Sequence, residues 1–193
     1  MNLSFWDLAY TFGFTPWDTK EPPEELIEYL NKGKVKPCKS LDIGCGKGYL
    51  VRFLAKNGFD AYGIDISSVA IKIAISELKK ENIDAKFFNI DFTKIEEVKK
   101  LGKFKLITDI GCYHSLRNNK RDYYIKSLDE VADRGSIFMI WAFGKDFWGP
   151  PGIEENELEE KLKYKFKLID KRQYFTCARK NFFFVFEKTN LGS

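Results

Sequence analysis

The chain holds 193 residues, 44% hydrophobic and 31% charged, with a net charge of +4. That length and balance suit one globular domain with a core large enough to stand alone, and exclude a disordered chain. Lysine and glutamate are mixed without a long single-sign block, so nucleic-acid binding is permitted but not indicated, and the longest apolar runs (Ile137 to Phe143, Phe182 to Phe186) are too short to cross a bilayer.

Cys38, Cys45, Cys112 and Cys177 lie far apart with no C-x-x-C, and His114 is the single histidine. This predicts a reduced, cytoplasmic protein with no metal site. Met1 to Asp7 lacks the basic and apolar regions of a signal peptide. The 16% aromatic share is assigned mainly to the core.

Residues 1–20 read as irregular and aromatic (Phe5, Trp6, Tyr10, Phe12, Phe14, Trp17), covering one edge of a sheet or forming a lid over a ligand. Pro22-Pro23-Glu24-Glu25 starts a helix with Leu26, Ile27 and Leu30 on its apolar side, ending at Asn31 to Gly33. Lys39 to Ile43 is a buried strand running into Gly44-Cys45-Gly46-Lys47-Gly48, and Tyr49 to Ala55 has helical periodicity. A strand-turn-helix of this kind points free backbone N–H groups at whatever lies above it, and glycine lets that backbone approach closely. The spacing is G-x-G-x-G, with Tyr49 where a dinucleotide fingerprint carries its third glycine. With Asp42 beside it, the turn suits a ligand that carries an ammonium group and lacks a pyrophosphate.

Phe59 to Asp65 is the second strand, and Asp65 ends it where an acid accepts ribose hydroxyls in nucleotide-binding α/β folds; alternatively it caps the next helix, which buries Val69, Ala70, Ile73, Ala74 and Leu78. Ala85 to Asp91 is the third strand, followed by Phe92 and a capping box at Thr93-Lys94-Ile95-Glu96. Asp91 is either loop punctuation or an acceptor for an adenine amino group. Phe104 to Asp109 is the fourth strand and leads into Gly111-Cys112-Tyr113-His114. His114 is read either as a hydrogen-bonded structural residue or as a substrate contact, and Cys112 as a packing residue. A helix from Asn118-Asn119 to Arg134-Gly135 precedes a fifth strand, Ser136 to Phe143. Gly149 to Gly152 is a rigid loop at the substrate mouth, Glu154 to Lys163 a short helix, and Tyr164 to Tyr174 pairs with Lys180 to Glu187 as an antiparallel end.

The βαβα alternation argues for a doubly wound parallel sheet. Three sets of residues carry a family resemblance: Asp42-Ile43-Gly44-Cys45-Gly46-Lys47-Gly48, the D-x-G-x-x-H-x-L string from Asp109 to Leu116, and Thr15-Pro16-Trp17-Asp18. By these the chain resembles the class I S-adenosylmethionine-dependent methyltransferases, in particular their thiopurine and tellurite-resistance small-molecule branch. The resemblance implies an α/β, Rossmann-like, seven-stranded, mostly parallel sheet with an antiparallel C-terminal strand. It implies a single domain, with residues 1–35 as an N-terminal cap and 36–193 as the core. The cofactor implied is S-adenosyl-L-methionine, held by Trp17, Asp42, Gly44, Cys45, Gly46, Asp65, Ile66, Asp91, Phe92 and Asp109. Asp109 and His114 would frame a small-molecule acceptor, with no nucleic-acid or membrane partner. The loop after the fourth strand does not match the N/D-P-P-Y form of enzymes that methylate exocyclic amines. A methyltransferase acting on RNA or protein, and a non-catalytic adenosyl-binding module, remain the alternatives; Tyr49 disfavours NAD chemistry.

Overall fold

A computed structural model of the chain describes residues 4–18, 20–146, 149–176 and 179–189. Thus the start of the expected leaderless N-terminus and Cys177 lie outside the described residues. The backbone forms two compact units that divide after Asp91. Among the described residues there are seven strands and seven α-helices, the α/β class expected.

In the first unit, β1 (Lys39–Ile43), β2 (Asp60–Asp65) and β3 (Lys86–Asn89) lie side by side in parallel. Ile43 pairs with Ile64 and Asp65 with Asn89, so the three C-terminal ends are neighbours on one edge. Parallel strands need crossovers, supplied here by α3 (Tyr49–Lys56) and α4 (Ser68–Glu81). Ser67 caps α4 by accepting from the Ala70 N–H. The helix buries Ala70, Ile71, Ala74 and Leu78, whereas Val69 and Ile73, expected on the buried side, are half-buried. In α2 (Glu24–Asn31) the buried residues are Leu26 and Tyr29, while Ile27 is exposed.

The N-terminal segment is not irregular. Ser4 to Asp7 is a capping box, in which the Asp7 N–H reaches the Ser4 hydroxyl at 3.0 Å and the Ser4 N–H reaches the Asp7 carboxylate at 3.1 Å. It opens α1 (Phe5–Thr11). Glu or Gln normally fills the third position, and the aspartate there escaped notice. β3 is also shorter than expected: it stops at Asn89, so Asp91 lies two residues beyond the strand.

The second unit orders its strands β4 (Phe104–Ile110), β5 (Ala132–Phe143), β7 (Arg179–Lys188) and β6 (Phe166–Thr176). β4 and β5 are parallel; β5–β7 and β7–β6 are antiparallel. The run from Phe138 to Ala142 and from Phe182 to Phe186 is buried throughout, with Phe182, Phe184 and Phe186 packed ring to ring at 5.7 and 5.8 Å. These aromatic residues belong to the core, as expected. Those of the first segment differ: Phe5, Phe12 and Phe14 are exposed.

Two boundaries move. α5 (Ile95–Val98) has Lys94 at its N-cap, one residue later than the expected Thr93, and Lys94 makes no side-chain cap bond. α6 (Asn118–Val131) follows Arg117, again without a side-chain cap, and stops at Val131, before Arg134-Gly135. There the backbone turns extended, and Ala132 already pairs with Phe104, whereas Leu106 pairs with Ile137. Residues 133–136 bulge out between the two pairs. The Ser136 hydroxyl closes the bulge, accepting from the Asp133 N–H at 2.8 Å and donating to the Phe104 carbonyl at 2.6 Å. Gly135, at φ 75°, serves that bulge and not a helix end. α7 (Glu157–Leu162) completes the unit.

Gly48 shows why the third glycine stands where it does. It precedes α3 in the left-handed region at φ 73°, and a Cβ on it would run into the Phe87 ring and reach 3.0 Å from the Ala74 Cβ. Gly48→Ala should therefore lose about 2–5 kcal/mol, the sum of a left-handed penalty and overpacking. Gly33→Ala, left-handed but in open space, should lose only about 1–2 kcal/mol. Urea unfolding of the two variants measures the difference, and equal losses would refute the packing role.

Candidate functional site

The glycine turn of the first unit is held from two sides. The N–H groups of Gly44 and Cys45 both donate to the Ile64 carbonyl, at 2.8 and 2.9 Å. The Gly46 N–H donates to the Asp65 carboxylate at 2.9 Å, and the other Asp65 oxygen accepts the Ser67 N–H at 2.7 Å. Asp65 thus joins the turn after β1 to the start of α4. It is buried, which raises its pKa above the usual carboxylate range, while the Ser67 and Gly46 N–H groups oppose that shift. A carboxylate offers about four acceptor positions, so two bonds to backbone leave Asp65 able to accept hydroxyls as well.

Asn89 at the end of β3 was not anticipated. Its amide donates to the carbonyls of Asp65 at 2.9 Å and Ile66 at 2.8 Å. This fixes the Asp65–Ile66 peptide and leaves the Ile66 side chain exposed. An asparagine at a strand tip, aligned with an acid on the neighbouring strand, is the signal that would have found it. Asp91 is half-buried beyond it, in the loop whose Ile90 N–H bonds the Asp65 carbonyl at 3.1 Å.

The N-terminal segment also reaches this turn. A Cβ on Gly46 would stand 2.7 Å from the Tyr10 hydroxyl, so Tyr10 lies against the glycine backbone. The Trp17 indole N–H donates to the same hydroxyl at 3.3 Å, and the Trp17 ring meets Trp6 and Tyr10 edge-on. Lys47 pairs with Asp18 at 2.7 Å and donates to Thr15 at 3.1 Å. Asp7 anchors the other end, accepting from the Ser67 hydroxyl at 2.8 Å and the Val69 N–H at 3.2 Å. Burial raises the Asp7 pKa, but those donors and Ser4 outweigh it and hold the carboxyl at about 2. The N-terminus of α4 adds favourable dipole. Tyr10 and Asp7 act through contacts dozens of residues away, which no local pattern announces.

The chemistry of this turn tests its ligand. Asp42 and Asp65 are buried beside the glycines, while Lys47 within the turn is engaged by Asp18. Two acids and three left-handed glycines (Gly44, Gly46, Gly48) fit a cationic ligand with hydroxyls better than a pyrophosphate.

In the second unit Asp109 is fully buried at the end of β4. One oxygen accepts the Cys112 N–H at 2.8 Å; the other accepts the Tyr113 N–H at 3.0 Å and the Tyr124 hydroxyl at 2.6 Å. Burial pushes its carboxyl up to about 7, against the lowering pull of the Tyr124 hydroxyl and those N–H groups. Phe92 and Tyr113 pack edge-on against Tyr124 at 4.8 and 5.0 Å. Asp109 therefore shapes its own loop, and Phe92 is buried in this aromatic cluster.

His114 follows in the 3-10 turn Tyr113–Ser115. Its Nδ1 accepts the Phe143 N–H at 3.2 Å, and its ring lies 4.7 Å from that of Phe143. Burial first, then Arg179 and Arg121, lower its pKa to about 3. The loop is braced by Arg121, 1% exposed, which sequence reading passed over. Its guanidinium donates to Glu157 at 2.6 and 2.8 Å, to the Gly152 carbonyl at 2.5 Å and to the Leu116 carbonyl at 3.1 Å. Tyr113 donates to Glu157 at 2.8 Å, and the Gly152 N–H to the His114 carbonyl at 3.0 Å. So the Gly149 to Gly152 segment is tied to the His114 turn.

Comparison with known proteins fits this geometry. Residues 34–185 match the family described as methyltransferase domain, and the chain belongs to that family. An uncharacterised methyltransferase of Schizosaccharomyces pombe is 36% identical over 105 residues, 54% of this chain and 71% of the relative. The 2-heptyl-1-hydroxyquinolin-4(1H)-one methyltransferase of Mycobacteroides abscessus is 29% identical over 154 residues, 75% of this chain and 65% of that protein. Among solved structures, TehB from Haemophilus influenzae superposes with a TM-score of 0.76 at 18% identity, covering 95% of this chain and 67% of TehB. The magnesium protoporphyrin IX methyltransferase of Synechocystis, crystallised with S-adenosylhomocysteine, gives 0.75 at 16% identity, covering 95% and 98%. These likenesses extend the Rossmann-like fold over nearly the whole chain.

Asp109 generates a prediction of unusual sign. The folded carboxyl keeps its proton to about pH 7, whereas in the unfolded chain it ionises near 3.8. Between those values the folded state binds more protons, so this group's contribution to stability falls as pH rises. The stability of the wild type relative to Asp109→Asn, read by urea unfolding across that window, should decline towards pH 7. A difference independent of pH would refute the assignment.

Proposed function

We propose that the chain is an S-adenosyl-L-methionine-dependent methyltransferase that acts on a small-molecule acceptor. The observation that carries this is the edge of the first unit, where the turn at Gly44 to Gly48, Asp65 and the segment ending in Asp91 are neighbours and Lys47 is engaged by Asp18. The family match from 34 to 185 runs through both units, which supports reading them as one catalytic domain, with α1 and α2 as its cap. The relative from Mycobacteroides abscessus is named for a small heteroaromatic acceptor, and this supports the small-molecule reading over RNA or protein. No helix among the described residues is long and apolar enough to cross a membrane; with the scattered cysteines this supports a cytoplasmic site of action.

When bound, the cofactor supplies a methyl group already activated on a sulfonium. The chain's work is then to bind, orient and exclude water. Gly44, Cys45 and Gly46 admit the methionine portion close to backbone, with Asp42 facing its ammonium. Asp65 accepts the ribose hydroxyls from its unused acceptor positions, and Ile66 offers an apolar edge to the base. Asp91 accepts the adenine amino group. Trp17, oriented by Tyr10, offers an aromatic face to the sulfonium. Asp109 shapes the loop that presents His114 to the acceptor. Orientation of reacting groups contributes up to about 7–11 kcal/mol in favourable systems.

Calorimetry with S-adenosyl-L-methionine should give a dissociation constant in the range of about 1 μM to 1 mM. Asp65→Asn should weaken it by about tenfold or more, a loss of roughly 1.4 kcal/mol, with the melting temperature measured alongside to separate loss of fold. Undiminished binding in a folded variant would remove Asp65 from the site. Tyr10→Phe deletes the acceptor of the Trp17 N–H; it should weaken cofactor binding about two- to tenfold, within the range of one hydrogen bond. Binding equal to wild type would show that the Trp17 orientation is immaterial.

A further inference from the structure

We infer that the outward side of α1 is the surface on which two copies of this chain associate across a two-fold axis. Only the first unit takes part, and the association is independent of the methyltransferase reading.

A helix on a protein surface normally turns its apolar residues inward. In α1 the inward side is instead partly polar: Asp7 bonds the Ser67 hydroxyl and the Val69 N–H, and Tyr10 lies against Gly46. Phe5, Leu8 and Phe12 stand at i, i+3 and i+7, which places them within about 60° of one another around the helix axis. They face outward, 68%, 42% and 81% exposed. The end of the helix adds a fourth residue. Gly13, at φ 70°, forms a Schellman turn, in which its N–H donates to the Tyr10 carbonyl at 3.3 Å and the Phe14 N–H to the Ala9 carbonyl at 3.0 Å. The turn folds the chain back at the helix end, and Phe14 is 70% exposed there.

This apolar stripe is fixed before any partner arrives. The Ser4–Asp7 capping box closes one end of the helix, the Schellman turn closes the other, and Asp7 ties the middle to the start of α4. Little ordering is therefore left to oppose association. A whole phenylalanine presents about 200 Å², so the four side chains leave roughly 500 Å² of apolar surface on each copy. Two copies facing each other bury roughly 1,000 Å², the lower bound for a specific interface, and a weak dimer follows.

Charge selects the partner. Residues 1–19 contain no lysine or arginine, and their acids are Asp7 and Asp18. Asp7 is buried, and Asp18 pairs with Lys47 at 2.7 Å. The stripe thus lacks the cations that draw a helix to anionic lipid, and it has no charge pattern for a charged protein to match. The side of a single helix is also convex, whereas small-molecule sites are concave. The same stripe on a second copy is complementary to it, because a two-fold axis sets phenylalanine and leucine against their like and brings no like charges together. Leu8, midway between Phe5 and Phe12, then lies nearest the axis.

Sedimentation equilibrium of the full chain from about 1 μM to about 1 mM should show the mass rising from 22.5 kDa towards twice that value. Leu8→Asp and Leu8→Lys should each raise the dissociation constant of the dimer about tenfold or more, since each sets like charges together at the axis. An equimolar mixture of the two should recover most of that loss as a heterodimer, which a helix merely weakened by substitution would not do. Phe12→Asp, at the most exposed of the four positions, should also weaken the dimer. Tyr164→Asp, at a 70% exposed residue of the second unit, should leave it unchanged. Circular dichroism checks that each variant folds, and if the Leu8 variants do not, Phe12→Asp against Tyr164→Asp decides. A wild type that stays monomeric throughout overturns the proposal, as does association equal in wild type and Phe12→Asp. Mixed, folded Leu8 variants that associate no better than either alone overturn it too. A monomer that co-sediments with phosphatidylcholine–phosphatidylserine vesicles, and no longer does so as Phe12→Asp, would make the stripe a membrane contact instead.

Discussion

The candidate cofactor edge depends on one carboxylate. Asp65 holds the glycine turn by the Gly46 N–H and the start of α4 by the Ser67 N–H. Three glycines in left-handed conformations cannot hold themselves, because each lost more chain freedom on folding than any other residue would. The turn keeps its shape because Ile64 accepts two N–H groups on one side and Asp65 accepts one on the other. An acid of this sort serves the fold first, and its remaining acceptor positions are what a ligand could use.

The N-terminal segment shows the same economy. Asp7 closes the capping box of α1 and also satisfies donors at the start of α4. That bond places Tyr10 against Gly46, and Tyr10 in turn receives the Trp17 N–H. The aromatic segment is therefore anchored by an acid, whereas Phe5, Phe12 and Phe14 remain exposed and contribute little to burial. The second unit uses a different device. Arg121 and Glu157 are an ion pair with the arginine 1% exposed, an arrangement that stabilises little by itself but is expensive to break from one side. Its consequence is positional, since it binds the Gly152 segment and the His114 turn to the same guanidinium.

Much of this was legible in the chain because it rests on local rules. The apolar run before Gly44, the glycines after it and the helical periodicity that follows are one strand-turn-helix in sequence and in space. Asp65 could be placed at a strand tip because β2 is short and the residues before it, Ala61 to Ile64, carry no charge. The antiparallel end from 166 to 188 was readable because two β-rich runs are separated by few residues. Where expectation failed, a local signal had a rival of equal strength. Arg134-Gly135 looked like a helix stop, but the Ser136 hydroxyl and the pairing of Ala132 with Phe104 made it a bulge. Ser4 to Asp7 looked irregular because its aromatic content hid a capping box.

The sequence by itself determined the α/β class, the order of the strands along the chain, the glycine turn with its flanking acids and the family to which they belong, since all of these are carried by residues near one another. Tertiary structure decided what each polar group does. It committed His114 Nδ1 to a backbone N–H 29 residues away, enclosed Asp109 with a tyrosine 15 residues on, and set Tyr10 against a glycine on another element. Hydrogen-bond partners and burial are properties of positions in space. A histidine or an aspartate has the same local sequence whether its lone pairs are free or taken, so only the folded chain could assign them.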